Sequence, residues 1–369
     1  MGIPAIVGVP EIMNAARSGR LIVMDAEKGE ITIDPDPATL RQYEALWESF
    51  AQMRAKQNEN ARQPSVSADG HSIRVCANVG SLEELKHALD YAPDGIGLFR
   101  TEFMYMQRTQ LPSEDEQFEI YKDAVCLMNG RELTFRTLDI GADKNLPYLN
   151  LGKEENPALG YRAIRVCLDR PQLFKAQLKA LLRASAFGQL QIMYPMISSL
   201  EELDAANQIL AECKQELQNQ SIAFDPAIRV GMMVENPAAV ILADAFAPKV
   251  SFFSIGSNDL TQYILSIDRG NQKVASMYNT FHPAILRCIA HIIAAGHRAG
   301  IPVGMCGEFA SDRSAFRLLL GMGLYEFSMD PPVIPDIKEL LWTSEYEKAK
   351  NYASQILAID SVDGIKKLL

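Results

Sequence analysis

A (β/α)₈ barrel preceded by a short β-rich stretch and a long helix is the architecture this sequence predicts, on three observations. After Pro64, short apolar runs rich in β-branched residues alternate with amphipathic helical stretches, and eight such units can be counted. Alternation of this kind implies parallel strands joined by right-handed crossovers, and eight of them suggest closure. An open doubly wound sheet is the rival, but it usually has fewer strands and a phosphate loop; neither GxGxxG nor GxxxxGK(S/T) occurs. Length agrees, because a chain of 369 residues holds a barrel of about 250 residues plus an appendage.

Residues 1–36 hold the β-like pieces Ala5-Ile6-Val7, Leu21–Met24 and Glu30–Ile33, separated by Gly and Pro. They are too few to build a core and read as the tail of another domain. From 37 to 63 the apolar positions Leu40, Tyr43, Trp47, Phe50 and Met53 recur at helical spacing, which predicts a linker helix. The barrel then spans 64–369. Its strands are expected at Ile73–Val79, Gly95–Glu102, Glu132–Asp139, Gln191–Met196, Arg229–Asn236, Phe252–Asp259, Pro302–Glu308 and Glu326–Asp330. Helices are expected at Leu82–Tyr91, Glu114–Met128, Leu159–Phe187, Glu201–Gln218, Ala238–Phe246, Pro283–Ala299, Arg313–Met322 and Ile334–Leu341. Ser81, Ser113 and Ser199 are N-cap candidates, and Glu84 and Glu202 complete capping-box patterns.

Composition excludes several classes. With 36 Lys and Arg against 46 Asp and Glu, the net charge is −10, which argues against a general nucleic-acid binder. Six scattered cysteines without a CxxC pair argue against a disulfide framework or structural zinc and suit a reducing cytoplasm. No apolar run approaches the roughly 18 residues needed to span a membrane, and no signal-peptide layout opens the chain.

In barrels of this kind, function gathers where strands end at the C-terminal face. Those ends read Asn78, Arg100, Glu102, Arg136, Asp139, Glu235, Asn258, Asp259, Cys306, Glu308 and Asp330. Any one of them could serve as an ion pair at the rim; their convergence on one face points to a site, because desolvated charge is costly unless paired. Glu235 and Asp259 fall at the ends of neighbouring strands about 4.8 Å apart, so two carboxylates can reach one cation. Oxygen ligands with no His nearby favour Mg²⁺ or Mn²⁺ over zinc; the plainer alternative pairs each with an arginine. Arg100, Arg136, Arg162 and Arg269 offer planar forks suited to phosphate and carboxylate, although Arg162 falls in a predicted helix, where a surface or salt-bridge role is the simpler reading. Cys306, flanked by Gly304, Gly307 and Glu308, stands where a thiol can exchange protons with a ligand.

Taken together, the motifs resemble enzyme I of the bacterial sugar phosphotransferase system. They are Gly95-Ile-Gly-Leu-Phe-Arg-Thr-Glu102, Phe135-Arg-Thr-Leu-Asp-Ile-Gly-Ala-Asp-Lys144, Glu154-Glu-Asn-Pro-Ala-Leu-Gly-Tyr-Arg162, Phe252-Phe-Ser-Ile-Gly-Ser-Asn-Asp-Leu-Thr-Gln-Tyr263, Asp268-Arg-Gly-Asn271 and Gly304-Met-Cys-Gly-Glu308. The similarity runs from Gly2 to the C-terminus. It implies a barrel that binds phosphoenolpyruvate with Mg²⁺, forms a homodimer, and works in the cytoplasm with a carrier protein, HPr. Carried over residue by residue, Arg100, Arg136, Arg162, Asn258 and Arg269 would hold phosphate and carboxylate, Glu235 and Asp259 would ligate Mg²⁺, and Cys306 would protonate the enolate to release pyruvate.

Two departures from the family stand out. Asn236 replaces an aliphatic residue or Thr, which puts the surroundings of the metal site in question. Met329-Asp330-Pro331-Pro332 replaces a Ser-rich stretch. The resemblance further implies that the acceptor histidine lies in a Thr-Ser-His motif just before the Gly-Ile-Pro-Ala at Gly2. The chain is therefore expected to be the C-terminal part of a longer protein, with 1–36 a remnant of a swivelling phosphohistidine domain. Competing readings are the barrel of a pyruvate phosphate dikinase or phosphoenolpyruvate synthase, and a non-catalytic phosphoenolpyruvate sensor.

Overall fold

The computed structural model describes residues 5–26, 28–106, 108–142, 144 and 146–369. Gly2-Ile3-Pro4 and Asp143, both within motifs quoted above, lie outside the described residues. Near the N-terminus, β1 (Ile22–Asp25) and β2 (Glu30–Ile33) form an antiparallel hairpin, while Ala5-Ile6-Val7 is not a strand. The helix Pro37–Asn60 follows. Asp36 caps it by accepting from the amides of Ala38 and Thr39 at 2.9 and 2.7 Å, and Pro37 occupies the first turn, where a missing N–H costs nothing.

Eight parallel strands make the barrel: β3 (Arg74–Val79), β4 (Ile96–Arg100), β5 (Leu133–Arg136), β6 (Leu190–Tyr194), β7 (Arg229–Val234), β8 (Phe253–Ile255), β9 (Val303–Met305) and β10 (Glu326–Met329). They pair in chain order, and β10 returns to β3 through Phe327 opposite Val75, closing the sheet. Their near-continuous apolar character reflects burial on both faces, against the lumen within and the helices outside. Phe99, Phe135 and Tyr121 stack in series at 4.8 Å between ring centres where β4 and β5 meet the helix Glu114–Leu127.

Several boundaries differ from expectation, and each difference moves a functional residue. The stretch expected as one helix over Leu159–Phe187 is two, Ile164–Asp169 and Pro171–Ser185; Pro171 cannot continue the preceding turn, having no N–H to donate. Arg162 accordingly sits in a loop, ahead of Ala163 at φ +53°. Asn258 and Asp259 do not end a strand, since β8 stops at Ile255 and both lie in the first turn of the helix Ser257–Leu265. Likewise β4 ends at Arg100, and Glu102 opens the short helix Glu102–Met106. Ser199 with Glu202 forms the expected capping box, and Ser113 with Glu116 forms one too. Ser81 caps the amide of Glu84, but the Glu84 carboxylate turns to the amide of Gly80 instead. Among the described residues, no helix is long and apolar enough to cross a membrane.

Candidate functional site

At the C-terminal end of the barrel a cavity of about 740 Å³ opens, and every strand-end residue named above lines it. Arg100 and Arg136 face each other as direct partners across β4 and β5. Glu235 follows the last residue of β7, and Cys306 the last residue of β9. The helix Ser257–Leu265 presents Asn258 and Asp259, its following loop presents Arg269, and the loop before Ile164 presents Arg162. Four arginines, two carboxylates, an amide and a thiol thus meet from segments up to about 200 residues apart in sequence.

The charges form a ladder. Arg136 Nη2 donates to Glu102 Oε1 at 2.5 Å and Nη1 pairs with Asp139 Oδ2 at 3.1 Å. Arg162 Nη2 takes the other Asp139 oxygen at 2.8 Å and stands 3.8 Å from Asp259, which Arg269 approaches at 3.7 Å. Burial opposes the charge of Asp139, but the guanidinium groups of Arg136 and Arg162 outweigh it and hold the carboxyl below its usual range. The ladder leaves capacity unused. Among the described residues, the Nε atoms of Arg100, Arg136 and Arg162, and Oε2 of Glu102, are buried without a hydrogen-bond partner. The three arginine N–H groups so placed carry a desolvation cost that an anionic ligand would relieve.

Glu235 is the outlier of the set. It is buried, its Oε1 accepts the amide of Met196 at 2.7 Å, and among the described residues no cation lies within ion-pair distance of it. Burial first, then the neighbouring Asp259 and Asp139, push its carboxyl well above the usual range. Gly256 permits this arrangement, since a Cβ there would meet Glu235 Oε2 at 2.9 Å. Glu235 without a cation beside it, next to Asp259 with only distant arginines at 3.7 and 3.8 Å, is a donor set that suits a hard divalent cation. Among the described residues no cluster of three or more His, Cys, Asp and Glu is arranged for a metal, which leaves a pair of the kind Mg²⁺ uses beside water and phosphate oxygens.

Asn258 Oδ1 accepts the amide of Glu308 at 3.0 Å, fixing the side chain with its NH₂ group left to donate. Cys306 lies over Ser254, whose Oγ donates to Sγ at 3.4 Å. Burial pushes the Cys306 thiol up to about 11, so it holds its proton at neutral pH. Asn236, flagged as a departure, turns away from the cavity. It caps the helix Pro237–Ile241 through the amide of Ala239 and donates to the carbonyl of Ile197.

Sequence reasoning named Glu102 and Asp139 at the rim without giving them a task; they orient Arg136 and Arg162. Lys144 also lines the cavity, with Nζ donating to the Asp139 carbonyl at 2.6 Å. Leu98 and Met233 were missed altogether, although each lies two residues before a charged strand-end group and so on the same strand face.

A closed parallel barrel with a ring of arginines and carboxylates at its C-terminal end defines a (β/α)₈ barrel suited to anionic ligands, and comparison with known families agrees. Residues 54–346 match the family described as PEP-utilising enzyme, PEP-binding domain, and the chain belongs to that family. It is also similar to proteins named phosphoenolpyruvate-protein phosphotransferase: 46% identical over 363 residues to that of Geobacillus stearothermophilus and 43% over 363 residues to that of Bacillus subtilis, in each case over 98% of this chain. To the Haemophilus influenzae protein it is 44% identical over its whole length. The chain spans 63 to 64% of the length of these relatives.

Proposed function

We propose that this chain is the phosphoenolpyruvate-binding part of a phosphoenolpyruvate-protein phosphotransferase. In this reading it binds phosphoenolpyruvate with Mg²⁺ and supports phosphoryl transfer to a histidine on a preceding region. Pyruvate is released, and the phosphoryl group passes to an HPr-like carrier for sugar uptake in the cytoplasm, with the barrel working as a homodimer. The observation that supports it best is the ladder from Glu102 to Arg269, whose arginines keep buried donors unpaired around one cavity.

Arg100, Arg136, Arg162, Asn258 and Arg269 grip the phosphate and carboxylate, with Glu102 and Asp139 holding two of the guanidinium groups in place. As the phosphoryl group departs, negative charge spreads over its oxygens, and preorganised donors in a water-poor cavity stabilise that charge. Glu235 and Asp259 would hold the Mg²⁺, which when bound supplies further charge neutralisation. The enolate left behind needs a proton on carbon. Cys306, a thiol whose proton burial holds more firmly still, is the donor beside it.

Titration calorimetry of phosphoenolpyruvate tests the reading. Binding should require Mg²⁺ and weaken at least about tenfold in Glu235→Gln, which removes a ligand charge; negligible heat with and without Mg²⁺ would end it.

A further inference from the structure

Most of the cavity's lining is polar or charged; its apolar members are Leu98, Phe103, Met106, Ala158, Met233 and Met329. Leu98, Met193, Met233, Phe252 and Cys306 form a small buried cluster of their own, apart from the main core. Three of them, Leu98, Met233 and Cys306, reach the cavity, where they are only 5%, 2% and 7% exposed. Strand geometry explains the placement, because residues two apart on a strand face the same way. Leu98 precedes Arg100 on β4, and Met233 precedes Glu235 at the end of β7. Both side chains therefore lie one pleat beneath the charged ring. The wall they make and the ring are in direct contact, with Met233 Sδ 3.8 Å from Arg136 Nη1. Gly256 leaves the room, since a Cβ there would stand 3.0 Å from the same sulfur.

We infer that Leu98 and Met233 are the residues that set specificity at the carbon-3 end of the substrate, an assignment that rests on the phosphoenolpyruvate reading above. The central carbon of phosphoenolpyruvate carries a phosphate ester, a carboxylate and a methylene. The ring of arginines, carboxylates and amide takes the first two groups. The methylene is the one apolar group left, and the apolar surface that shares a buried cluster with the Cys306 thiol is the Leu98–Met233 wall. Placed there, carbon 3 faces the proton it must receive. The wall is also packed from behind by Met193 and Phe252, so it cannot retreat to admit a larger group. A homologue carrying one more methyl on carbon 3 would collide with it.

The test is calorimetric titration of this chain, with Mg²⁺ present, against phosphoenolpyruvate and against its 3-methyl homologue, phosphoenol-2-oxobutanoate. The wild-type chain should favour phosphoenolpyruvate by at least about tenfold, as expected for one carbon in a packed apolar pocket. Leu98→Ala and Met233→Ala should each narrow the preference to about threefold or less by raising affinity for the homologue. Met233→Leu, nearly equal in volume, should keep it. Should an alanine variant not fold, Leu98→Val carries the same expectation in smaller measure. Equal affinities in the wild-type chain overturn the assignment, as does a preference that the folded wall variants retain. A chain that binds neither compound overturns the phosphoenolpyruvate reading itself, whereas binding both alike overturns only the role of the wall.

Discussion

The two ends of the barrel use the same residue types to opposite effect. At the N-terminal end a cavity of about 650 Å³ is lined by Arg74, Glu132, Arg229 and Glu326 among others, and at the C-terminal end one of about 740 Å³ is lined by the arginine ladder. Below, the charges close on themselves. Arg74 pairs with Glu132 and, at 3.2 Å, with Glu326, while Arg229 takes the second Glu132 oxygen at 3.0 Å. Above, among the described residues, three arginine Nε atoms and a Glu102 oxygen have no hydrogen-bond partner, and Glu235 has no cation within ion-pair distance. Buried charge is therefore not a mark of function by itself. What separates a structural ion network from a binding site is whether the partners are already in the fold.

Removing a partner from the closed network should have the largest effect. Arg74→Ala leaves Glu132 and Glu326 facing each other without their shared cation, and breaking a largely buried pair costs about 3 kcal/mol. Denaturant unfolding should register that loss, while affinity for phosphoenolpyruvate stays within about twofold. If affinity fell and stability did not, the division between the two ends would be wrong.

The reverse substitution sharpens the contrast. Arg100 makes no ion pair among the described residues and rests against the Phe103 ring at 5.5 Å, so Arg100→Ala should barely change the unfolding midpoint. Phosphoenolpyruvate binding should weaken about hundredfold, the equivalent of losing one strong charge-assisted contact. Isothermal titration and thermal unfolding on the same sample separate the two quantities.

How much of this contrast the sequence carried depends on separation along the chain. The upper ring was legible because apolar runs ending in Arg100, Arg136, Glu235 and Cys306 mark strand ends from local pattern alone. The lower network was not, since Arg74, Glu132 and Arg229 lie 58 and 97 residues apart and each looks like an ordinary charge at a strand start. Asp259 was placed on a strand for a related reason. The run Phe252–Ile255 passes directly into Gly256-Ser257-Asn258, and the helix that begins there has no capping side chain to announce it. Arg162 was hidden by periodicity that runs straight across its loop, although Pro171 was a visible cue to a boundary.

Titration separates one ion-paired carboxyl at each end, Asp139 and Glu326, in sign. Asp139, at the upper end, is held down at about 2 by Arg136 and Arg162 against the opposing effect of burial. A carboxyl whose pKa is lower in the folded chain stabilises it above the unfolded value near 3.9, and that contribution is lost as pH falls toward 2. Asp139→Asn should therefore cost roughly 2 kcal/mol at pH 7, with the gap from the wild-type chain shrinking between pH 4 and pH 2. Glu326, at the lower end, moves the other way. Burial raises it, Glu132 adds to the shift, and Arg74 opposes it. A raised carboxyl binds its proton more tightly when folded, so its charge works against the fold as pH climbs above the ordinary glutamate range. Between pH 2 and 7 and relative to the wild-type chain, Glu326→Gln should then gain stability as pH rises above 4, whereas Asp139→Asn loses it as pH rises from 2 to 4 and keeps a constant deficit above. Urea unfolding across that range measures both, and parallel curves for the two variants would mean that the two networks respond to protons alike.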